Sequence, residues 1–333
     1  MGYANYRKDK QEKKLSAQLI VWGCLPKINP ASIQEVYDGP FVGPEEWNFF
    51  SDFFNQPRGR VNQVFANALC SPSKNPSLQR RINDFMGRKL YSHIDRKWYI
   101  KIVSGCRNCC TYCVDHLAYT WTRSVPIEII LKQFELGLKA KYKHFYFVGR
   151  DLGSYGYDIG STLAELLNKI EAAYPDQTYK ISIPNVSPNS LITLYPKLYP
   201  TLLSKKIFEI GSHIQTGSER ILKLMDRTVK LDDWKKTIQD LDKNYQKIRI
   251  ITSIIVGFPG ETEEDFKKTT NLLSNLVFDK VEVYKYNERP NLPSLKLKCP
   301  VPEAIKIRRW KKVKSLTRVN TLRKRIKRNR ILY

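Results

Sequence analysis

The stretch "SGCRNCCTYC", residues 104–113, decides the fold because it places four cysteines within eight positions. They are Cys106, Cys109, Cys110 and Cys113, and the chain of 333 residues contains only seven cysteines. An odd number of cysteines, more than half of them bunched, does not fit a disulfide framework. Such a bunch is typical of metal binding or redox chemistry in a reducing compartment. The stretch therefore indicates a metal or redox site.

The spacing of the four cysteines separates two kinds of site. A zinc ribbon needs a spacer of roughly a dozen residues between its cysteine pairs, whereas Cys106–Cys109 and Cys110–Cys113 abut. Neighbouring residues such as Cys109 and Cys110 rarely turn both side chains to one metal. Without Cys109 the pattern is Cys-x3-Cys-x2-Cys, and three thiolates can bind three irons of a [4Fe–4S] cluster and leave the fourth iron open. The spacing favours Cys106, Cys110 and Cys113 as cluster ligands.

The chain around the cysteines alternates between strand-like and helical patterns from about residue 97. Helical patterns begin near Pro126, Ser161, Ser218, Leu231 and Thr262, where Pro126 is predicted in a first turn, Ser161 as a cap, and Thr262 with Asp265 as a capping box. Six strand-then-helix units predict parallel strands, in a doubly wound sheet or a barrel. The site then lies at the strands' C-terminal ends. The predicted strands are 98–104, 144–149, 179–186, 206–211, 247–258 and 280–286.

Residues 1–96 have a different character. Short strands are predicted at 19–23 and 39–43, an amphipathic helix at 45–54, and a linker at 55–88. The N-terminus is polar and has no apolar signal-peptide core. No apolar run approaches the roughly 20 residues of a membrane-spanning helix. We therefore expect a cytoplasmic protein with no membrane partner.

The charge balance is strongly basic and favours an anionic partner such as RNA. Lys and Arg number 57 against 32 Asp and Glu, a net charge of +25. Residues 305–333 hold thirteen Lys and Arg and no acid. They predict a helix that packs along one stripe and binds RNA with its other faces, with a merely solvated helix as the alternative. The predicted packing stripe is Trp310, Val313, Leu316, Leu322 and Ile326.

Several stretches together resemble the methylthiotransferases, a branch of the radical-SAM superfamily. The superfamily shares a CxxxCxxC motif with an aromatic residue before the last cysteine, here Tyr112. The resemblance covers roughly residues 17–315. It rests on "YIKIVSGCRNCCTYC" (99–113), residues 122–160, "IQTGSERILKLMDR" (214–227), "IIVGFPGETEEDF" (254–266), "YKYNERPNLPSLKL" (284–297) and "LIVWGCLPKINP" (19–30).

The resemblance implies an α/β fold, a radical-SAM (βα)6 partial barrel with a short N-terminal α/β segment and a basic C-terminal helix. The corresponding domains are a reduced N-terminal segment and linker at 1–90, the radical-SAM core at 91–302, and the basic helix at 303–333. The family's C-terminal RNA-binding barrel has no counterpart in this sequence.

The resemblance also implies the cofactors, a [4Fe–4S] cluster and S-adenosylmethionine, whose sulfonium bond is cleaved by one electron from the cluster. For the residues that the resemblance assigns to cofactor binding, structural alternatives remain: a tight strand-to-helix turn at Gly149 and Gly153, helix capping for Ser218, and surface ion pairs for Asp151 and Arg227. His213 is assigned no role. The implied cofactor-binding residues are Tyr112, Gly149, Asp151, Gln215, Ser218, Arg227, Gly257 and Pro259.

The family's second [4Fe–4S] cluster, which serves sulfur transfer, is held by three N-terminal cysteines, and only Cys24 matches one of them. The sequence leaves three explanations open. The chain is a shortened gene product, it rebuilds a site from Cys24 with Cys70, Cys109 or Cys299, or it has lost the second cluster. The second cluster is therefore not expected.

The implied activity is methylthio transfer to a tRNA adenosine or to a ribosomal protein. The expected partners are tRNA and an electron donor such as flavodoxin or ferredoxin, and the expected state is a monomer. Two alternatives stay open at this point. One is a radical-SAM enzyme without sulfur insertion that acts on a peptide or small metabolite. The other is a basic RNA-binding protein with a structural metal site.

Overall fold

The computed structural model describes residues 21–22, 28–35, 41–42, 97–119 and 121–332. The chain divides into two compact units. The smaller comprises Met1–Ser71 with Val114–Thr120, and the larger comprises Pro72–Cys113 with Trp121–Tyr333. The predicted helix at 45–54, the predicted linker at 55–88, Cys24 and Cys70 lie outside the described residues. The predicted three-part domain division stays a prediction.

The described part of the smaller unit is a two-stranded parallel sheet with two short helices. Strand β1 (Val21–Trp22) pairs with β2 (Phe41–Val42), which confirms both predicted N-terminal strands. Helix α1 (Pro30–Gln34) begins with a proline, which suits a first turn because its missing N–H would have no helical partner there. Helix α2 spans Asp115–Ala118.

The larger unit is built on a six-stranded sheet whose neighbouring strands are all parallel. The strands lie in chain order, so the sheet has no point where the order reverses, as a doubly wound fold would have. The sheet is the predicted six-stranded partial barrel. A short antiparallel pair, β4 (Val103–Ser104) with β5 (Arg123–Ser124), extends beside it. The six strands are β3 (Lys97–Lys101), β6 (His144–Val148), β7 (Lys180–Ile183), β8 (Ile207–Gly211), β9 (Arg249–Val256) and β10 (Lys280–Lys285).

Helices connect the strands, and two predicted helix starts need correction. Thr162, not Ser161, caps the second helix, because its hydroxyl accepts the Glu165 N–H. Pro126 is the N-cap residue and not a first-turn residue. The capping box of Thr262 with Asp265 is confirmed. The helices are α3 (Ile127–Lys139), α4 (Leu163–Ala173), α5 (Pro188–Leu194), α6 (Tyr199–Leu203), α7 (Glu219–Leu224), α8 (Leu231–Asn244), α9 (Glu263–Asn275) and α10 (Glu303–Leu332).

The two faces of the sheet differ in polarity because side chains alternate along each strand. One face is apolar and packs against the helices, for example where Phe145 stacks on Phe134 of α3 with 3.7 Å between ring centroids. On the opposite face, polar side chains from five neighbouring strands lie side by side. Among them, Arg249 pairs with Glu209 at 3.1 Å. The five residues are Tyr99, Tyr146, Ser182, Glu209 and Arg249.

Helix α10 packs on the larger unit with only part of the predicted stripe. Val313 is fully buried, and Trp310 Nε1 donates to the Val283 carbonyl at 2.9 Å. Leu322 was predicted to pack but is 59% exposed. Six residues turn an α-helix by about 240° beyond a full turn, which carries Leu322 off the face of Leu316. Along the described chain, no helix is both long and apolar enough to cross a membrane.

Candidate active site

The cysteine loop follows β3 and β4 at the C-terminal edge of the sheet, as predicted. Cys110 is buried, and Cys106 and Cys113 are half-buried, whereas Cys109 is exposed. The four are free thiols. This pattern separates Cys109 from the three predicted ligands. Thr111 anchors the loop, because its N–H donates to the Met225 carbonyl at 3.1 Å and its hydroxyl to the Leu224 carbonyl at 3.0 Å.

The Cys106 thiol is partly buried beside the Asp151 carboxylate, so a positive ion next to it would stabilise its thiolate form. The backbone N–H of Asn108 lies 3.4 Å and its amide nitrogen 3.2 Å from Cys106 Sγ. Burial, with a contribution from the Asp151 carboxylate, nevertheless raises the pKa of the Cys106 thiol to about 11. Metal ligation requires the thiolate, and an iron ion would supply the charge that stabilises it.

The three predicted ligand thiols do not converge on one ion. Among the residues whose placement is described, no three or more His, Cys, Asp or Glu side chains are grouped to hold a single metal ion. In a [4Fe–4S] cluster each thiolate binds a different iron. The ligands of such a cluster are therefore spread around it, and the assignment of Cys106, Cys110 and Cys113 to a cluster stays a prediction.

Arg227 connects the cysteine loop to the end of β8. Its Nη1 lies 3.4 Å from Cys110 Sγ and 2.9 Å from the Tyr112 hydroxyl, and its Nη2 donates to the His213 carbonyl at 2.7 Å. Burial lowers the Arg227 pKa, but Tyr112 and Cys110 outweigh burial, so that the pKa is raised. The guanidinium therefore keeps its positive charge beside Cys110.

Tyr112 is the aromatic residue that the resemblance implies beside the cofactor, and that role stays a prediction. Its ring packs edge-on against Phe258, with 6.4 Å between centroids, in an apolar cluster at the ends of β9 and β10. Burial is the main reason that its pKa is raised well above the ordinary tyrosine value, and Cys110 adds to this against the opposing effect of Arg227. Tyr112 is therefore a neutral phenol with an apolar ring face.

Asp151, a predicted cofactor ligand, is a buried hub for the loops around the site. One carboxylate oxygen accepts the N–H groups of Gly153 at 3.0 Å and Ser187 at 2.9 Å. The other accepts the Ser154 hydroxyl at 2.8 Å and the Asn108 amide at 3.1 Å. Asp151 thus fixes the loops after β6 and β7 to the cysteine loop, and any contact with the cofactor stays a prediction.

We expect Asp151→Asn to lower the free energy of unfolding by about 1–3 kcal/mol, the cost of leaving a buried polar group unpaired. Asparagine has one acceptor oxygen, so its amide would face the Asn108 amide donor. Urea unfolding measures the change. Asp176→Asn, at an exposed position after α4, is the matched control and should be nearly neutral. Equal stability of both variants would contradict the role of Asp151 as a hub.

The predicted glycine positions show close packing. A Cβ at Gly149 would lie 2.5 Å from Val103 Cγ1, and a Cβ at Gly257 would lie 2.3 Å from Lys306 Cγ. Gly257 also has a φ of 74°, a left-handed conformation that favours glycine. Pro259 is buried. Close packing at Gly149 and the left-handed conformation of Gly257 explain glycine at both positions, and cofactor contacts there and at Pro259 remain predictions.

The end of β8 carries two buried polar atoms that have no hydrogen-bond partner within the described chain, Gln215 Oε1 and His213 Nδ1. Gln215 has a φ of 74°, and His213 Nε2 lies 3.0 Å from both the Pro184 carbonyl and Asn185 Oδ1. Buried polar atoms are nearly always paired in native proteins. These two atoms therefore fit a position where a ligand binds, and His213 joins the candidate site although no sequence motif assigned it a role.

Ser218 shows the capping arrangement that was its structural alternative. Its hydroxyl accepts the Ile221 N–H at 3.4 Å at the start of α7 and donates to Asp265 Oδ1 at 2.6 Å. Ser218 is fully buried. A direct contact between this hydroxyl and a cofactor stays a prediction.

A buried ion pair that no sequence pattern indicated connects α10 to the loop after β9. Arg309 Nη1 lies 2.7 Å from Glu261 Oε2 and also donates to the Glu261 carbonyl at 3.0 Å. The same Oε2 accepts the Gly257 N–H at 2.6 Å. Arg309 is one of thirteen cations in the basic run, and nothing local distinguishes it from the others. Asn108 was missed as well, although its place between Cys106 and Cys110 is a signal.

An open barrel of six parallel strands, with the predicted ligand thiols Cys106, Cys110 and Cys113 in the loop after its first strand, is typical of enzymes that perform radical chemistry with S-adenosylmethionine and an iron–sulfur cluster. The sequence profile of the Radical SAM superfamily matches residues 100–273, more than half of the chain, and the chain belongs to this superfamily. Its cofactors are a [4Fe–4S] cluster and S-adenosylmethionine. The residues that bind them stay predictions.

Curated relatives confirm the resemblance to methylthiotransferases. The chain is 32% identical over 301 residues to the threonylcarbamoyladenosine tRNA methylthiotransferase MtaB of Thermotoga maritima, covering 90% of this chain and 66% of the relative. It is 31% identical over 226 residues to the tRNA-2-methylthio-N(6)-dimethylallyladenosine synthase of Acetivibrio thermocellus, covering 65% and 45%. The chain thus spans less than two thirds of the length of either relative.

Solved structures confirm the fold. The cobalamin-dependent S-adenosylmethionine radical enzyme OxsB, with aqua-cobalamin bound, superposes with a TM-score of 0.56. The match covers 87% of this chain and 43% of that one at 13% identity. The radical methyltransferase TsrM of Kitasatospora setae gives 0.51, over 60% and 37% of the two chains, at 15% identity. At these identities the likeness concerns the fold alone.

Proposed function

We propose that this radical-SAM enzyme transfers a methylthio group to an adenosine of tRNA. The observation that carries the proposal is the match of 301 residues to a tRNA methylthiotransferase, a match that covers 90% of this chain. The net charge of +25 supports an RNA substrate. We also propose that the enzyme acts in the cytoplasm as a monomer and receives its electrons from flavodoxin or ferredoxin.

We assign the cluster to Cys106, Cys110 and Cys113. When bound, the cluster supplies the electron that cleaves S-adenosylmethionine. Arg227 holds a positive charge beside Cys110. The ring of Tyr112 offers an apolar surface to the adenine of the cofactor.

We assign to Gln215 Oε1 and His213 Nδ1 the role of hydrogen-bond acceptors for bound S-adenosylmethionine, because both atoms are buried and lack a partner in the described chain. The polar face of the sheet, with Glu209 and Arg249 paired on it, suits a polar substrate. Burial raises the Glu209 pKa, although Arg249 opposes the shift. Glu209 is therefore easier to protonate than an ordinary glutamate.

The test is anaerobic reconstitution followed by reaction with tRNA and a reductant. Digested tRNA should contain an adenosine whose mass has increased by one methylthio group in place of hydrogen. Cleavage of S-adenosylmethionine with unchanged tRNA would favour the alternative enzyme without sulfur insertion. Iron counts address the second cluster, since about four irons per chain indicate one cluster and about eight indicate two. We expect about four and, because the second cluster serves sulfur transfer in the family, methylthio transfer that is impaired relative to cleavage of S-adenosylmethionine.

RNA binding is predicted to depend on exposed cations of α10 and not on all of its basic residues. Arg309 and Lys324 are buried and paired with acids, Lys324 with Asp242 at 2.7 Å. Lys311, Lys312 and Arg318 are exposed. These three exposed cations can therefore reach phosphates, whereas the two buried ones would first have to leave their ion pairs.

Changing Lys311, Lys312 and Arg318 together to Gln should flatten the salt dependence of tRNA binding. The slope of log K against log[salt] should fall by roughly 0.7–0.9 for each lost phosphate contact. Filter binding at a series of salt concentrations measures the slope. An unchanged slope would remove α10 from the RNA interface. The control variant replaces Lys169, Lys236 and Lys267 with Gln and loses the same charge. These three residues lie on exposed faces of α4, α8 and α9.

A further inference from the structure

Two aromatic side chains beside the cysteine loop are exposed, and each has a guanidinium next to its ring. Tyr157 is 66% exposed, and Arg107 lies over its ring with 3.4 Å from Cζ to the centroid. Trp121 is 39% exposed, and the Cζ of Arg123 lies 5.8 Å from its ring centroid. Exposed aromatic rings also occur elsewhere in the described chain, at Tyr99, Tyr199 and Tyr284, but Tyr157 and Trp121 combine exposure with a neighbouring guanidinium.

Hydrogen bonds hold the two aromatic segments together. The N–H and hydroxyl of Ser124 donate to the Asp158 carboxylate at 2.8 Å and 2.5 Å. The Gly156 N–H donates to the Ser124 hydroxyl at 2.8 Å. The residue next to Tyr157 is thus tied to the residue next to Arg123. These hydrogen bonds join the segment that carries Tyr157 to the segment that carries Trp121 and Arg123.

The same two segments adjoin the cysteine loop. Arg107 directly follows Cys106, and its N–H donates to the Ser154 hydroxyl at 3.4 Å. Ser104 pairs with Arg123 across β4 and β5. Gly105 has a φ of 78°, and a Cβ there would lie 2.1 Å from the Trp121 carbonyl oxygen. A molecule that binds to the exposed rings therefore lies beside the predicted cluster ligands.

We propose that Arg107, Trp121, Arg123 and Tyr157 form a stacking surface for unpaired nucleobases of the substrate RNA. Unpaired bases bind proteins by stacking on aromatic rings and guanidinium planes, while the positive charge attracts the phosphates. A neutral apolar partner would not explain a guanidinium beside each ring. The surface holds the nucleotides that flank the target adenosine, and this inference rests on the proposed RNA substrate.

The experiment uses the full chain in its reconstituted form and an RNA hairpin with 2-aminopurine in its single-stranded loop. Stacking quenches 2-aminopurine fluorescence, so quenching reports on contact with a ring. Changing Trp121 and Tyr157 together to Leu should weaken binding by about tenfold or more and remove the quenching, since base–aromatic stacking contributes at least about a factor of five per base. Tyr157→Phe alone should retain both.

The matched control is Tyr199→Leu. Tyr199 is also exposed, but it begins α6, which precedes β8 and so lies toward the opposite edge of the sheet. This control should bind RNA like the unchanged protein. Cleavage of S-adenosylmethionine without RNA should be equal in all variants, which shows that they are folded and loaded.

The outcomes separate this inference from the proposed function. Unchanged affinity and quenching in the double Leu variant would overturn the stacking surface, while methylthiolation of tRNA by the same variant would leave the proposed function intact. If the unchanged protein neither binds nor modifies tRNA, the proposed function fails and the stacking surface fails with it. Loss of affinity with loss of quenching supports the surface.

Discussion

Serine in place of Cys106, Cys110 or Cys113 is expected to abolish reductive cleavage of S-adenosylmethionine, because each change removes one of the three predicted thiolate ligands of the cluster. A serine hydroxyl is a hard ligand and poorly replaces a thiolate at iron. Iron and sulfide per chain, and the 5′-deoxyadenosine released on reduction, measure the effect. We expect less than one hundredth of the original activity in each variant.

The adjacent Cys109 is the matched control for this prediction. It is exposed, whereas Cys110 is buried, so Cys109→Ser should retain the cluster and most of the activity. A loss in Cys109→Ser equal to that in Cys110→Ser would show that the trio of ligands has been wrongly assigned. Retention of full iron in any one of the three ligand variants would contradict the assignment of that cysteine.

Arg309→Met should lower the free energy of unfolding by about 3–5 kcal/mol, the cost of removing one partner of a buried ion pair. The side chains of Arg309 and Glu261 are only 4% and 0% exposed. Without the guanidinium, the Glu261 carboxylate would be buried beside the Gly257 N–H with its main counter-charge gone. Urea unfolding measures the loss, and the loop after β9 should become more susceptible to protease.

The neighbouring Arg308 provides the control. Its side chain is 64% exposed and pairs with Glu263 at 2.9 Å, a carboxylate that Arg309 also contacts at 3.2 Å. Exposed pairs contribute about 0–1 kcal/mol, so Arg308→Met should be nearly neutral. Similar losses in the two variants would show that burial does not distinguish the two arginines.

The deficit of Arg309→Met should also depend on pH. Burial already raises the Glu261 pKa in the folded protein, and Arg309 opposes that shift. Removing Arg309 raises the folded pKa further above the unfolded value of about 4.3. A carboxyl group with a raised folded pKa favours folding at low pH and loses that contribution as pH rises toward the folded pKa. The deficit should therefore shrink as pH falls toward 4.3, and an increase toward acid would contradict this account.

Several local features could be predicted from the sequence. The six strands, the start of α9 at Thr262 with Asp265, and the position of the cysteine loop are all confirmed. Each depends on residues within a few positions of one another, so that periodicity, capping chemistry and chain order suffice to find them. Even here the cap of α4 was placed one residue early, because Ser161 and Thr162 have the same capping chemistry.

The sequence by itself determined the class of fold, the cysteines of the cluster motif and the basic character of the C-terminal helix. The tertiary structure alone decided which basic residues of α10 are buried and which distant residues come into contact. It buried Arg309 and Lys324 while Lys311 stayed exposed, made Asp151 a hub, and joined Ser124 to Asp158 across 34 positions. The reason is that burial and contact depend on which distant segments the sheet brings together, and no local pattern records that.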